Sequence, residues 1–266
     1  MQDRHGRNIH YLRISVTDRC NLRCIYCMPE NGVPLLKHDE ILSFEEIASF
    51  TRIAVANGID KVRITGGEPL IRKNITYLIQ LLSGIHGIKD LSLTTNGILL
   101  DEFAKPLKDS GLQRVNISLD TTDPQKYEYI TRGGDLKKVM KGIDAAEKAG
   151  LLPIKINCVV KRSSDEPDAV RVKAFCESRK LTVRFIHQMN LETGEYSVVE
   201  GGTGGNCRLC NKLRLSSDGN LRPCLFSDLS FNIRRMGVES AIQRAVHSKP
   251  EFGTRNLLAG FSTIGG

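Results

Sequence analysis

The sequence predicts an α/β protein in which six strand–helix units form an open, partial barrel, followed by a small C-terminal extension. First, apolar stretches of strand length alternate with helical patterns through two-thirds of the 266 residues, which favours parallel βα units. Second, a closed barrel of eight units needs more residues than this region holds. Third, the remaining part is polar, rich in glycine and carries its own cysteines. We therefore expect the barrel in residues 1–190 and the extension in residues 191–266.

Each strand of the barrel is predicted from a short apolar or alternating run that is bounded by turn residues. The predicted strands cover residues 11–17, 61–65, 88–94, 113–119, 154–160 and 182–186. Ligands of such parallel sheets bind at the carboxyl ends of the strands. The residues that follow these strands, or point from them into the barrel, are therefore the first candidates for a site.

The helices of the barrel begin at recognisable caps. Ser43-Phe44-Glu45-Glu46 has the pattern of a capping box, and that helix is expected to end near residue 57. Asp123 and Pro124 supply an N-cap and a proline at the first helical position. The other predicted helices cover residues 74–83, 101–109, 136–149 and 167–178.

The cellular setting is inferred from what the sequence contains. It has no apolar run long enough to cross a membrane, and its first residues are polar, unlike a signal peptide. We therefore expect a cytoplasmic protein without a membrane partner. In that compartment the eight cysteines are expected to be metal ligands or reduced thiols rather than disulfides.

The formal net charge of +8 indicates an anionic partner. The basic residues are scattered, tryptophan is absent, and no pattern of an RNA- or DNA-binding module is present. We therefore expect a phosphorylated or otherwise anionic small molecule and no nucleic acid. A homodimer is one oligomeric state open to the chain.

The stretch after the first strand carries three cysteines, Cys20, Cys24 and Cys27. Thiolates are the ligands of iron–sulfur clusters, and three of them leave one iron of a four-iron cluster without a protein ligand. A structural zinc site is the alternative, but it needs a fourth ligand close by. The next histidine is His38, in another segment. The spacing therefore favours a [4Fe–4S] cluster with an open coordination position.

The second strand runs into Gly66-Gly67-Glu68-Pro69. The cysteine loop after the first strand and this turn after the second resemble the radical S-adenosylmethionine (SAM) enzymes. The resemblance implies that SAM binds the open iron and that the glycine turn holds the SAM amino group. An external electron donor then reduces the cluster, and SAM is cleaved to a 5′-deoxyadenosyl radical. No side chain of the chain is expected to be catalytic itself.

A second set of cysteines, Cys207, Cys210 and Cys224, lies in the extension. A hairpin turn is predicted at residues 217–220 between them, and the glycine-rich residues 190–205 before them are expected to form a flexible connector. A structural zinc site and an iron–sulfur cluster are both compatible with this set. Next to a radical SAM loop, a second [4Fe–4S] cluster is the favoured interpretation.

Four short runs of the sequence make the resemblance specific to one family. They are RNIHYLRISVTDRC at 7–20, CRLCNKLRL at 207–215, RPCLF at 222–226 and IGG at 264–266. They resemble the GTP 3′,8-cyclase family of molybdenum cofactor biosynthesis. The resemblance implies two [4Fe–4S] clusters, SAM as cofactor, GTP as substrate and 3′,8-cyclo-7,8-dihydro-GTP as product.

The resemblance also implies roles for individual residues, which we carry over position by position. The cluster ligands are Cys20, Cys24, Cys27, Cys207, Cys210 and Cys224. The residues that bind SAM are Tyr26, Gly66, Gly67, Glu68, Ser118 and Met189. The residues that bind the substrate are Arg13, Arg63, Thr94, Lys155, Lys212 and Arg214. Cys158 and Cys176 match no ligand position and are expected in the core.

The chain departs from the family pattern in three places. Lys212 stands where the family has arginine, His187 stands where an acidic residue is usual, and the stretch between Met189 and Cys207 is short. These departures leave open a diverged enzyme that acts on another nucleotide or on a peptide. An iron–sulfur carrier without activity is a further alternative, but a carrier has no need of the Gly-Gly-Glu-Pro turn.

Overall fold

The central feature of the computed structural model, which describes residues 1–258, 260 and 264, is a sheet of nine strands. The strands are β1 (Tyr11–Ser15), β2 (Lys61–Thr65), β3 (Asp90–Thr95), β4 (Arg114–Ser118), β5 (Lys155–Val160), β6 (Thr182–His187), β7 (Lys212–Leu215), β8 (Asn220–Arg222) and β9 (Phe231–Asn232). Their order across the sheet is β6-β5-β4-β3-β2-β1-β7-β8-β9.

All neighbours from β6 to β7 in this order are parallel, whereas β8 and β9 join by antiparallel pairing. The sheet does not close on itself, because β6 and β9 are its two edges. Six strands alternating with helices in an open parallel sheet form a partial barrel, which confirms the predicted fold class.

Six of the helices lie where the sequence predicts them, within a few residues at each end, whereas the last two, in the C-terminal region, were not predicted. They are α1 (Phe44–Ala56), α2 (Ile75–Ser83), α3 (Leu100–Asp109), α4 (Pro124–Thr131), α5 (Leu136–Lys148), α6 (Pro167–Ser178), α7 (Ile233–Met236) and α8 (Val238–His247). Within the described residues, no helix combines the length and apolar character needed to cross a membrane.

The predicted caps are present. The Ser43 hydroxyl accepts the Glu46 N–H at 3.1 Å, and the Glu46 carboxylate accepts the Ser43 N–H at 2.7 Å. Asp123 likewise accepts the Lys126 N–H at 3.0 Å at the start of α4. These bonds satisfy backbone donors that the first helical turn leaves without a partner.

Alternation along the strands separates the core from the barrel interior. Leu12 and Ile14 of β1 are fully buried in the main apolar core, whereas Arg13 between them lines a cavity inside the barrel. Successive side chains of a strand point to opposite faces, so a single residue step separates these two environments. Cys158 and Cys176 are fully buried in the core, as expected.

The C-terminal strands extend the sheet of the barrel. β7 pairs in parallel with β1, and β8 returns antiparallel to it after the predicted hairpin turn. A second, smaller apolar cluster supports this region and contains Leu191, Leu225, Phe226 and Ile264. The predicted boundary at residue 190 lies between β6 and β7 of this shared sheet and stays a prediction.

The glycine-rich segment before β7 is attached to the sheet. Phe185 of β6 and Glu200 exchange two backbone hydrogen bonds of 3.1 and 3.0 Å. Gly194 has a φ of +78°, and a Cβ there would lie 1.6 Å from the Thr254 carbonyl oxygen. Glycine is therefore needed for close packing at this position. The expectation of a flexible connector is corrected accordingly.

Candidate active site

A cavity of about 210 Å³ lies at the carboxyl ends of the strands, and it gathers two sets of predicted residues. The first set consists of the predicted iron ligands Cys20, Cys24 and Cys27 on the loop after β1. The second set comprises the residues predicted to bind SAM, which are Tyr26, Gly66, Gly67, Glu68, Ser118 and Met189. Residues from four different strand ends thus meet in one place.

The glycine turn after β2 is pressed against the end of β1. The Gly67 N–H donates to the Thr17 carbonyl at 2.7 Å, and the Glu68 N–H donates to the Arg19 carbonyl at 2.8 Å. A Cβ on Gly67 would lie 2.2 Å from the Arg19 carbonyl oxygen. This contact excludes every residue type with a Cβ at position 67 and lets the turn pack directly against the backbone that follows β1.

Glu68 fastens the strand ends that surround the first cavity. Its carboxylate accepts the Leu70 N–H at 3.0 Å, the Thr95 hydroxyl at 2.8 Å and the Asn96 N–H at 2.7 Å. Burial raises the pKa of Glu68 to about 7, although these three donors lower it. These three bonds tie the end of β2 to the end of β3 and to the turns that follow the two strands.

The carboxylate of Asp120 anchors the cysteine loop to the body of the barrel. Asp120, which follows β4, accepts the Tyr26 hydroxyl at 2.6 Å and the Val159 N–H at 2.8 Å. Arg132, just after α4, holds the loop from the other side through the carbonyls of Arg23 and Met28 at 3.0 and 2.9 Å. These bonds join the loop to the body of the barrel on both sides of Cys24 and Cys27.

The first cysteines suit an iron–sulfur cluster chemically. All three thiols are free and partly exposed, and they share one cavity. Burial raises the pKa of Cys24 to about 12 and that of Cys27 to about 11, so these thiols deprotonate when a metal replaces the proton. No three potential ligands in the described part of the chain converge closely enough for a single metal ion. A four-iron cluster instead takes each thiolate on a different iron.

A second cavity of about 230 Å³ lies inside the barrel next to the first. Cys207, Cys210 and Cys224, the predicted ligands of a second cluster, line it together. The two cavities share Asn157, Ile186 and Met189 in their walls and therefore adjoin each other.

The second cavity is strongly basic. Its lining cations, from the described residues, are Arg13, Lys61, Arg63, Arg184, Lys212 and Arg214, and no carboxylate lines it. Clustered positive charges in a partly enclosed space attract anions and focus the electric field of the protein. The cavity is therefore suited to an anionic ligand.

The parallel register explains how three of these cations come together. Arg13 of β1 is level with Arg63 of β2 on one side and with Arg214 of β7 on the other. Two residues earlier, Tyr11 is level with Lys61 and Lys212, and its ring lies 5.1 and 5.8 Å from their ammonium groups. Residues two apart share a face of the sheet, so both rows point into the barrel.

The cations of this row lie in surroundings that disfavour their charged forms. Burial and the neighbouring Arg13 lower the pKa of Arg214 to about 9. Burial likewise lowers the pKa of Lys212 to about 8, although the thiol group of Cys210 opposes this shift. Like charges on neighbouring strands repel each other, and an anion in the cavity relieves that repulsion.

Two predicted substrate residues lie away from this row. Thr94 lines the first cavity, where its buried hydroxyl has no hydrogen-bond partner within the protein. Lys155, at the start of β5, is not among the described residues that line either of the two cavities. Burial lowers its pKa to about 8, with smaller contributions from nearby cations such as Arg184. Their roles in substrate binding stay predictions.

Several residues of the site were not singled out from the sequence. Arg184 and Lys61 line the second cavity from strands, and strand alternation would have found Lys61, because it precedes Arg63 by two residues. The Tyr196 hydroxyl lies 3.0 Å from the Cys207 sulfur. Asp120 and Tyr196 reach the site through contacts with distant segments, and no local pattern marks them.

Comparison with known proteins agrees with this geometry. Residues 14–173 match the Radical SAM superfamily. The solved structure of Streptococcus suis SuiB bound to S-adenosylmethionine is similar, with a TM-score of 0.64 at 17% identity, over 87% of this chain and 65% of that chain. Native anSMEcpe with bound AdoMet and Kp18Cys peptide has a TM-score of 0.64 at 16% identity, over 92% and 81%. The fold and the matched region define a radical SAM enzyme.

Curated relatives identify the family within this class. The GTP 3′,8-cyclase of Thermodesulfovibrio yellowstonii is 40% identical over 322 residues and is covered completely, as is this chain. The GTP 3′,8-cyclase of Peptoclostridium acidaminophilum is 43% identical over 275 residues, with 87% of this chain and 85% of that protein covered. The chain belongs to the family of the GTP 3′,8-cyclases and is an enzyme of the cyclase or lyase type.

The alignments also show how the length of this chain compares with that of a relative. The alignment with the Thermodesulfovibrio yellowstonii enzyme is longer, at 322 residues, than the 266 residues of this chain. That relative therefore contains segments without a counterpart here. The placement of the missing residues between Met189 and Cys207 stays a prediction.

We expect Tyr26→Phe to destabilise the protein by about 1–3 kcal/mol at pH 8, because a buried carboxylate loses a donor. Burial raises the pKa of Asp120 to about 6, and the Tyr26 hydroxyl lowers it; the substitution therefore raises it further. The folded state binds this proton more tightly than the unfolded state, so this group's contribution to stability falls as the pH rises. The deficit of the variant should shrink as the pH falls through about 6.

Urea unfolding of the metal-free, reduced chain at pH 5 and pH 8 measures this effect. Tyr129→Phe is the matched control, because Tyr129 is 71% exposed and lies on the surface of α4. A Tyr26→Phe deficit of the same size at both pH values would contradict the assigned role of Asp120.

Proposed function

We propose that this enzyme converts GTP to 3′,8-cyclo-7,8-dihydro-GTP in molybdenum cofactor biosynthesis, with two [4Fe–4S] clusters and SAM. The observation that carries the proposal is the row of Arg63, Arg13 and Arg214 at level positions of three neighbouring strands. A row of buried guanidinium groups without a lining carboxylate suits a ligand with several negative charges, such as a triphosphate. The GTP 3′,8-cyclases among its relatives support the choice of GTP.

In the first cavity, Cys20, Cys24 and Cys27 would hold a [4Fe–4S] cluster, and SAM would bind beside it. Together the cluster and SAM would supply a 5′-deoxyadenosyl radical. The protein contributes the surroundings: the side-chain-free Gly66-Gly67 turn admits the amino acid part of SAM close to the backbone. Glu68 keeps the strand ends in place, and Asp120 fixes Tyr26 and with it the loop.

In the second cavity, the arginines would bind the phosphates and the second cysteine set would hold a cluster facing the base. Arginine presents a planar fork that matches phosphate oxygens, whereas Lys212 adds a point charge. The shared wall of Asn157, Ile186 and Met189 leads from one cavity to the other. A nucleotide fixed by its phosphates would thereby present its sugar toward the first cavity, and the reaction depends on such orientation.

Other aspects of the reaction follow from this proposal. The chemistry draws its electron from an external donor, and we place it in the cytoplasm. Lys212 in place of arginine, together with the segments that this chain lacks, favours a related anionic small molecule as the second candidate substrate. A peptide is less compatible with the six cations of the second cavity.

Turnover under anaerobic conditions tests the substrate directly. The reconstituted protein is incubated with SAM, a reductant and GTP. The products are then separated, and their masses are measured by mass spectrometry. We expect 5′-deoxyadenosine together with a product of the same mass as GTP but different retention. The same incubation with ATP is the control, and cleavage of SAM without any nucleotide product would favour another substrate.

The iron content tests the number of clusters. We expect about eight irons and eight sulfides per chain after anaerobic reconstitution, because each set of three cysteines suits one four-iron cluster. Replacing Cys20, Cys24 and Cys27 together by Ala should halve the iron and abolish SAM cleavage. The double variant Cys158→Ala and Cys176→Ala is the control and should keep all the iron. Stoichiometric zinc at the second set, in protein purified without oxygen, would contradict the two-cluster proposal.

The charge of the second cavity is tested by Arg214→Ala. Loss of one charge-assisted contact should cost about 1.5–3 kcal/mol, so GTP binding should weaken by roughly one to two decades. SAM binding, which uses the first cavity, should be unchanged. Calorimetric titration of both ligands measures this, with the exposed Arg52→Ala on α1 as the control. Equal losses in the two variants would show that the general charge, and not the row, binds the nucleotide.

A further inference from the structure

Lys249 is a buried lysine that no motif of the sequence marks. It follows α8 and has only 1% of its surface exposed. Its ammonium group donates to the Lys212 carbonyl at 2.8 Å and to the Pro223 carbonyl at 2.5 Å. A long cationic side chain is rarely buried to this extent, since an ammonium group loses much hydration energy.

The two carbonyls that Lys249 binds belong to the segments that carry the second cysteine set. Lys212 lies two residues after Cys210, and Pro223 directly precedes Cys224. The ammonium group therefore sits between the two chain segments from which these thiols project. It joins the start of β7 to the end of β8 at the wall of the second cavity.

Lys249 differs from Arg7, another buried cation of this region, in what balances its charge. Arg7 donates to the carbonyls of Cys207 and Pro250 at 2.9 and 2.7 Å, and it is paired with the Asp3 carboxylate at 2.6 Å. Lys249 has no carboxylate partner among the described residues. An opposite charge nearby is needed to offset the free-energy cost of burying an ammonium group.

The groups that can carry the opposite charge beside Lys249 are the cysteine sulfurs of the second set. The ammonium group binds the carbonyl two residues after Cys210 and the carbonyl directly before Cys224. A cation in this position attracts the thiolate, which is the form of cysteine that binds iron.

We propose that Lys249 supplies the fixed positive charge that balances the thiolates of Cys210 and Cys224, and that it thereby strengthens and tunes the second cluster. The inference rests on the proposed two-cluster function. Lys249 is a positioning residue, because it acts through the ligands and the carbonyls beside them. A fixed cation next to a cluster stabilises the reduced, more negative state, so it raises the reduction potential.

The test uses the full chain in which Cys20, Cys24 and Cys27 are replaced by Ala, so that one cluster contributes to the spectra. Lys249→Met removes the charge and the donors, whereas Lys249→Gln removes the charge but keeps an N–H donor. Arg244→Met, on the exposed face of α8, is the control that removes a cation without touching the site. The midpoint potential and the rate of iron loss to a chelator are measured for each protein.

We expect both Lys249 variants to shift the ratio of reduced to oxidised cluster at least tenfold toward the oxidised form, which is about 59 mV for one electron. Both should also lose iron at least tenfold faster, while Arg244→Met matches the parent. A normal potential in Lys249→Gln would show that only the donors matter and would overturn the proposal. Normal values in both variants would overturn it as well.

A measurement on the wild-type chain covers the case in which the variants do not fold. If Lys249 and the cluster stabilise each other, loading the cluster must protect Lys249 from acetylation by the same reciprocal coupling. Mass spectrometry of loaded and metal-free protein compares Lys249 with the exposed Lys173, which should react equally in both. Equal acetylation of Lys249 in the two states would overturn the inference.

These results also separate this inference from the function on which it rests. A second cysteine set that holds no cluster in the parent protein contradicts the two-cluster function, and the role of Lys249 falls with it. A cluster that is present but indifferent to Lys249 overturns the role of Lys249 alone.

Discussion

The parallel register of β2, β1 and β7 is the constraint on which the rest of the structure depends. It brings Arg63, Arg13 and Arg214 side by side, although like charges at such positions repel one another. The opposite face of the same strands compensates, because Leu12, Ile14 and their neighbours are fully buried there in the main core. Apolar burial on one face thus stabilises on the other face a cluster of positive charges that suits an anion.

The same register sets the distance between the two cysteine sets. Cys20, Cys24 and Cys27 follow the carboxyl end of β1, whereas Cys207 and Cys210 precede the start of β7, which is level with the start of β1. The five residues of β1 span about 13 Å, and Arg13 lies midway along them. A ligand held by the arginines would therefore lie between the two sets, in the second cavity, which adjoins the first.

The fold and much of the site could be predicted from the sequence because their signals are local. The capping box at Ser43, the glycine turn at Gly67 and both cysteine sets are contained in short runs, and the structure shows the cap and the turn and gathers each cysteine set in one cavity. Asp120 and Lys249 act through contacts with segments far away in the chain, and only the folded structure reveals them. The glycine-rich segment misled the prediction, since glycine content indicates flexibility and close packing equally well.

The pairing of β7 with β1 also has a consequence for the order in which the protein is made. The two strands meet across a large sequence separation, as the contact of His10 with Asn211, 201 positions away, illustrates. During synthesis, β1 therefore has β2 as its neighbour on one side and a bare edge on the other until the C-terminal strands leave the ribosome. Contacts of such long sequence separation form slowly, and bare strand edges favour wrong pairings. The second cavity, whose wall includes β7, is thus completed only when the C-terminal strands have been made, long after the loop of Cys20, Cys24 and Cys27.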